Sequence, residues 1–276
     1  MSERFGDIMD KRPIGVFDSG LGGLTFVKEL KTIMPNEDIV FFGDTGRVPY
    51  GTRSRDTIEL YARQDAQFLL SKDVKFIVAA CGTVSSVAPN TAIGLPVPFL
   101  GVVEPTAAAA VNATKNHKIG VLGTPATINS GAYNKSLLAL DKSLSVTCVK
   151  CPLFVPLVEE GLINRDEEIT ILAAKMYLEP IIESGADTVI LGCTHYPLIA
   201  PIIADILGDS VTLISAGGAT AHECKRIILE NGLENDSTAN GRYSYFVTDS
   251  PSSFEKTAKL FLQEEVGTAV SRVYVG

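Results

Sequence analysis

The chain has 276 residues, 46% hydrophobic and 20% charged, enough apolar mass for one large domain or two ordinary ones and too much for disorder. Its net charge of −8 argues against nucleic acid or an anionic membrane surface as partner, while a small anion would need only a local site. Five cysteines (81, 148, 151, 193, 224) are an odd number in a chain too long to need disulfides. The polar stretch 1–12 lacks the apolar core of a secretion signal, and no uninterrupted apolar run is long enough for a bilayer, so a cytoplasmic protein with reduced thiols is expected.

Residues 14–17 read as a first strand, running into the turn Asp18-Ser19-Gly20 and then Gly22-Gly23. Residues 25–33 have helical character, stopped by Pro35-Asn36. A second strand, 39–42, ends at Gly43-Asp44-Thr45, and a polar loop through Pro49-Tyr50-Gly51 leads to a helix over 54–70. The apolar run 76–80 is a third strand that brings Cys81, and 99–103 a fourth before Pro105. The pattern then restarts, with a helix over 106–113, a strand over 118–122, the turn Gly123-Thr124-Pro125 and a helix over 133–140. A strand at 145–149, a helix at 167–184 and a strand at 188–191 follow, the last delivering Cys193. Helices at 198–207, 219–231 and 252–264, strands at 211–215 and 243–248, and a polar surface loop at 234–241 complete the chain.

This alternation predicts an α/β fold of two similar parallel-sheet domains facing each other across an active-site cleft. The first would comprise 1–104 plus 218–276, with Asp18 and Cys81; the second 105–217, with Glu159, Cys193 and His195. Each of the two cysteines emerges at the C-terminal end of a strand, where open α/β sheets bind ligands. Thr83 follows one closely, and Thr194-His195 follow the other. Two thiols facing one pocket from opposite sides suit a reaction that removes a proton on one face of a carbon and returns it on the other, a racemisation.

Taken singly, each cysteine would more often be a small buried hydrophobe; the matched settings shift that balance. A thiol titrates near about 8.5, so a small depression would leave useful thiolate at neutral pH. His195 could tune Cys193 or bind substrate, although alone it would be read as a satisfied histidine near the sheet edge. The turn at 18–23 resembles a phosphate cradle but has neither G-x-G-x-x-G nor Walker spacing, and its local pattern favours Asp18 as a helix cap. Cys148-x-x-Cys151 lacks a second ligand pair, so two cysteines at a strand end are expected rather than zinc or redox chemistry. With no lysine in a pyridoxal-phosphate setting, a mechanism without metal or cofactor is expected.

These residues carry a family resemblance. The segments IGVFDSGLGGLT (14–25), FFGDTGRVPYG (41–51), AACGT (79–83), GTPATINSGAY (123–133), CPLFVPLVE (151–159) and LGCTHYPL (191–198) run in the order of the bacterial glutamate racemases, of the cofactor-independent aspartate/glutamate racemase superfamily. The stretch ISAGGATA (214–221) is also similar. The resemblance implies a two-base exchange of L- and D-glutamate, supplying D-glutamate for peptidoglycan. Cys193 would deprotonate the L enantiomer and Cys81 the D enantiomer, with Asp18 assisting Cys81, and His195 and Glu159 assisting Cys193. Ser19, Tyr50, Gly51, Thr83, Thr194 and His195 match substrate-holding positions, and Asp44 lies in a matching motif. The family leaves room for a homodimer, but no surface patch in the sequence fixes its arrangement.

One position departs. The family reads Cys-Asn-Thr at the first cysteine, where this chain has Cys81-Gly82-Thr83. Loss of the carboxamide would remove hydrogen bonds of about 0.5–1.5 kcal/mol each, predicting weaker substrate binding that Gly82→Asn would restore. It also keeps open a racemase acting on aspartate or another amino acid; a non-catalytic amino-acid-binding protein is the rival from another class, and would need neither thiol.

Overall fold

A computed structural model describes residues 10–266 and 270–276; most of the polar N-terminal stretch, residues 1–9, lies outside the described residues. The first half comprises β1 (Ile14–Asp18), α1 (Leu24–Ile33), β2 (Ile39–Gly43), α2 (Arg55–Leu70), β3 (Phe76–Ala79), α3 (Gly82–Val87), β4 (Phe99–Gly101) and α4 (Val103–Ala113). It is followed by β5 (Lys118–Gly123), α5 (Pro125–Ser130), α6 (Ala132–Leu140), β6 (Ser145–Lys150), α7 (Phe154–Glu159), α8 (Glu168–Ser184), β7 (Thr188–Leu191), α9 (Ala200–Leu207) and β8 (Thr212–Ser215). The chain ends with α10 (Ala216–Glu230), β9 (Tyr243–Val247), α11 (Pro251–Leu262) and β10 (Val270–Arg272).

The strands form two parallel sheets, in the orders β10-β9-β2-β1-β3-β4 and β6-β5-β7-β8. The run β2-β1-β3-β4 is thus repeated as β6-β5-β7-β8, and the C-terminal segment returns to extend the first sheet through β9 and β10. Strands β1, β2, β3 and β7 are buried along their whole length, which is why they read as continuous apolar runs rather than alternating ones. The register makes the repeat residue-specific. Phe17 pairs with Ala79 and Leu122 with Leu191, and each cysteine lies two residues beyond the last paired residue of its strand. By the same alignment Ser19 corresponds to Thr124, and Asp44 to Cys151.

Two local expectations change, and two short helices come in addition to those read. Asp18 is the last residue of β1, and α1 has Gly23 at its N-cap without a side-chain bond. Asp18 therefore does not cap the helix; its Oδ1 accepts the Gly20 N–H at 2.9 Å and closes the turn. The strand read as 99–103 stops at Gly101, because α4 takes Pro105 into its first turn, where a missing N–H costs nothing. Helices α3 and α7, each of 6 residues, carry too little periodicity for sequence reading, yet they bear Gly82-Thr83 and Glu159.

At the opposite end of the first sheet from the cysteines, Lys75 Nζ pairs with Glu37 Oε2 at 2.6 Å and donates to the Asp10 carbonyl at 2.7 Å. Glu37 Oε1 accepts the Asn235 N–H at 2.8 Å, so one buried pair ties the start of β3 to the loop before β2 and to the 231–242 connection. Removing one member leaves a buried charge unmatched, at a cost of about 3–5 kcal/mol. Lys75→Met is expected to lose stability on that scale in urea unfolding, while folded protein at low temperature keeps its turnover number.

Candidate active site

Both thiols line one cavity of about 330 Å³ between the C-terminal edges of the sheets. The first sheet contributes Ser19, Tyr50, Gly51, Cys81, Gly82 and Thr83, and the second Glu159, Cys193, Thr194 and His195. Of the residues singled out in the sequence, Asp18 and Asp44 are fully buried and do not line the cavity. Sequence reading missed Thr124 and Cys151, which do. Thr124 N-caps α5, contacts Thr83 Oγ1 at 3.2 Å, and stands where the sheet repeat puts the counterpart of Ser19. The internal repeat was therefore the signal that could have found it. In the C-x-x-C pair, Cys148 is exposed on β6 while Cys151 is buried at the cavity, and both are free thiols.

The two thiols have unlike surroundings. Cys81 donates to Ser19 Oγ at 3.3 Å. Burial, then the charge of Asp18, push its pKa up to about 12, against the opposing Ser19 bond. The modest depression expected of a working thiol therefore does not hold for Cys81, which keeps its proton in the closed cavity. Asp18 is itself raised, chiefly by burial, with His195 and the backbone N–H groups of Gly20 and Gly23 opposing.

Cys193 instead faces an imidazole. His195 Nδ1 lies 3.8 Å from Cys193 Sγ, and Nε2 lies 3.0 Å from Glu159 Oε1. Burial alone would lower the His195 pKa, but its bonds to Cys193 and Glu159, reinforced by their charges, push it up to about 10. The ring of Phe261, from α11, packs edge-on at 5.2 Å and closes the apolar side.

The two strand-end turns meet almost backbone to backbone. A Cβ at Gly22 would fall 2.0 Å from Thr194 Oγ1 and 2.7 Å from His195 Nδ1, and Thr25 Oγ1 donates to the Thr194 carbonyl at 3.2 Å. A Cβ at Gly82 would fall 2.4 Å from the Gly192 carbonyl oxygen.

The comparisons with known proteins bear on this geometry. A family model described as Asp/Glu/Hydantoin racemase matches residues 15–224. The chain belongs to this racemase family. It is 41% identical over 260 residues to the glutamate racemase of Geobacter metallireducens, covering 94% of this chain and 96% of that one. Over 251 residues it is 43% identical to the glutamate racemase of Syntrophus aciditrophicus, covering 91% and 92%. Among solved structures, Francisella tularensis glutamate racemase in complex with D-glutamate aligns with TM-score 0.88 at 41% identity, covering 96% of this chain and 98% of that one. The Thermus thermophilus glutamate racemase in complex with beta-chloro-D-alanine aligns with TM-score 0.85 at 43% identity, covering 95% and 97%.

Within this racemase family Gly82 acquires a second meaning. An asparagine there would meet backbone, not a movable side chain, so the two turns would have to separate. Gly82→Asn is therefore not a simple restoration of hydrogen bonds. Overpacking of this kind costs about 1–3 kcal/mol. Gly82→Ala and Gly82→Asn are both expected to raise KM and lower the melting temperature; a lower KM for the asparagine variant alone would reinstate the missing-carboxamide account.

A second expectation concerns His195. A folded pKa raised above the unfolded value of about 6.5 gives stability that is fully present below that pH and is lost as pH rises through about 10. Nitrogen NMR of the His195 ring should find both nitrogens protonated at pH 8, and the stability gap to His195→Gln should close across that window. A ring already neutral at pH 8 would contradict this assignment.

Proposed function

We propose that the chain interconverts L- and D-glutamate by a cofactor-independent, two-base proton transfer. The observation that carries this reading is one cavity lined by two thiols from opposite sheets, each with its own partner: Asp18 and Ser19 on one side, His195 and Glu159 on the other. The names of relatives and structural neighbours support glutamate as the substrate.

In the L-to-D direction, the Cys193 sulfur, as a thiolate beside the His195 imidazolium, takes the Cα proton. The Cys81 thiol gives its proton to the opposite face, leaving Cys193 protonated and Cys81 as thiolate. The enzyme is then in the form that accepts the D enantiomer, and solvent exchange of the two protons resets it. For the reverse reaction Cys81 must start deprotonated; the charge of Asp18 opposes that thiolate, so Asp18 would assist only by taking the Cys81 proton itself. A Cα–H beside a carboxylate is a very weak acid, so the carbanion needs fixed donors in a site that excludes water. Ser19, Thr83 and Thr194, with backbone N–H groups of Gly51 and Gly82, are the candidates to hold substrate.

In this reading residues 1–104 plus 218–276 form one domain and 105–217 the other, so substrate is enclosed between them. The product would be D-glutamate for peptidoglycan synthesis in the cytoplasm. No helix among the described residues is long and apolar enough to cross a membrane.

The test is proton NMR of each glutamate enantiomer in D₂O with purified enzyme and no added cofactor. Wild type should incorporate deuterium at Cα with inversion from both enantiomers. Each thiol serves one face, so Cys81→Ala should exchange only L-glutamate and Cys193→Ala only D-glutamate, with inversion reduced at least about 10²-fold in both. Full racemisation by either variant would exclude the two-thiol mechanism; inertness of folded wild type toward glutamate would move the search to aspartate and other amino acids.

A further inference from the structure

Behind the Tyr50-Gly51 wall lies a buried polar cluster that the mechanism above does not use. Helix α2 turns Ile58, Ala62, Asp65, Ala66 and Leu69 inward, and Asp65 is the one ionisable residue in that stripe. It is fully buried, as is Asp44 just beyond β2. Arg47 bridges them: its Nε donates to Asp44 Oδ2 at 2.5 Å and its Nη2 to Asp65 Oδ1 at 2.9 Å. Nη1 bonds Gln64 Oε1, and the guanidinium lies 4.1 Å above the Tyr61 ring. The Tyr50 hydroxyl contacts Asp44 Oδ2 and lies 3.0 Å from Asp65 Oδ2.

Counting hydrogens decides the protonation of this cluster. The Thr248 hydroxyl accepts the Gly46 N–H at 2.8 Å and donates its single proton to Asp44 Oδ1 at 2.8 Å. Asp44 thus receives Thr248 on one oxygen and Arg47 on the other, the pattern of an ionised carboxylate. The Tyr50 phenol has one proton for two carboxyl contacts. If it points to Asp44, the contact with Asp65 Oδ2 needs a hydrogen that only Asp65 can supply. Charge gives the same answer. One guanidinium neutralises one of the two carboxyl groups, and a second buried negative charge would be unmatched.

We propose that Asp65 is a neutral carboxylic acid donating through Oδ2 to the Tyr50 oxygen, and that Asp65 and Arg47 are positioning residues for the Tyr50-Gly51 wall of the cavity. The charged and titratable groups that act on it are Asp44 and Arg47 after β2, Tyr50, and Asp18 at the end of β1, with the Tyr61 ring of α2 against Arg47. Burial first, and then the Asp44 charge, raise the Asp65 carboxyl well above the usual range, with Arg47 opposing. The chain Asp65–Tyr50–Asp44 then runs donor to acceptor without a gap and fixes the loop from which Val48, Pro49, Tyr50, Gly51 and Thr52 reach the cavity. The kinetic consequence rests on the proposed racemase function; the protonation state does not.

Two readouts separate these claims. Infrared difference spectra at pH 7, wild type minus Asp65→Asn, should contain a carboxylic-acid C=O band from wild type; its absence overturns the neutral Asp65, whatever the enzyme turns over. In glutamate racemisation, Asp65→Asn keeps a donor at this point and should hold KM within about threefold of wild type, whereas Asp65→Ala should raise KM about tenfold or more with kcat little changed. A KM as high in Asp65→Asn as in Asp65→Ala would overturn the proton assignment, and an unchanged KM in Asp65→Ala would overturn the positioning role. Arg47→Lys, which keeps the charge and loses the fork, is the second probe if Asp65→Ala does not fold, and the same KM rise is expected. An unchanged KM there would likewise overturn the positioning role.

Discussion

The cleft depends on how closely two strand-end turns can approach. A thiol reaches only a short way from its backbone, so two thiols can act on opposite faces of one carbon only if the edges of their sheets come nearly together. Gly22 against Thr194 and His195, and Gly82 against the Gly192 carbonyl, leave no room for a Cβ. These glycines set the separation of the halves. Much of the remainder serves that contact: α10 leaves the second sheet to pack on α1, and α11, which also packs on α1, brings Phe261 onto His195. One apolar cluster accordingly contains Phe26, Phe41 and Phe76 together with Leu122, Phe154 and Tyr196.

What could be read from the sequence follows from which signals are local. Continuous apolar strands at 14–17, 39–42, 76–80 and 188–191 are visible because burial on both faces demands them. The positions of Cys81 and Cys193 follow directly, since a strand of known length must end somewhere. The return of the last segment to the first sheet was also legible, because a strand at 243–248 with no partner nearby in sequence has to join an existing edge. The structure pairs β9 with β2 there.

Other features are set by tertiary contacts and were not legible. Asp18 looks like a cap because Asp before a glycine-rich helix start usually is one, whereas the structure gives Gly23 the N-cap position and uses Asp18 to close the turn onto Gly20. Gly82 looked like a lost carboxamide, because the Gly192 carbonyl that excludes a side chain lies on the other sheet. The acidic residues Asp65 and Glu37 gave a weak signal. Each is a charge at a position that helix or loop packing makes internal, and its partner, Tyr50 or Lys75, is recognisable only once the chain is folded.

The unlike surroundings of the two thiols also have a physical reason in the repeat. A symmetric pair would give both cysteines the same protonation, and a two-base exchange cannot start from two thiols or from two thiolates. The sheet repeat supplies symmetry of position, and the residues around it break symmetry of charge. Cys81 is set beside a buried carboxyl group that disfavours a second negative charge, whereas Cys193 has the His195 ring beside it, tied on its far side to Glu159. The alignment puts Gly123 where the first half has Asp18, and Thr83 where the second half has His195. Each half thus lacks the group that stands beside the other half's cysteine, so a duplicated scaffold gives equivalent strand ends unlike surroundings.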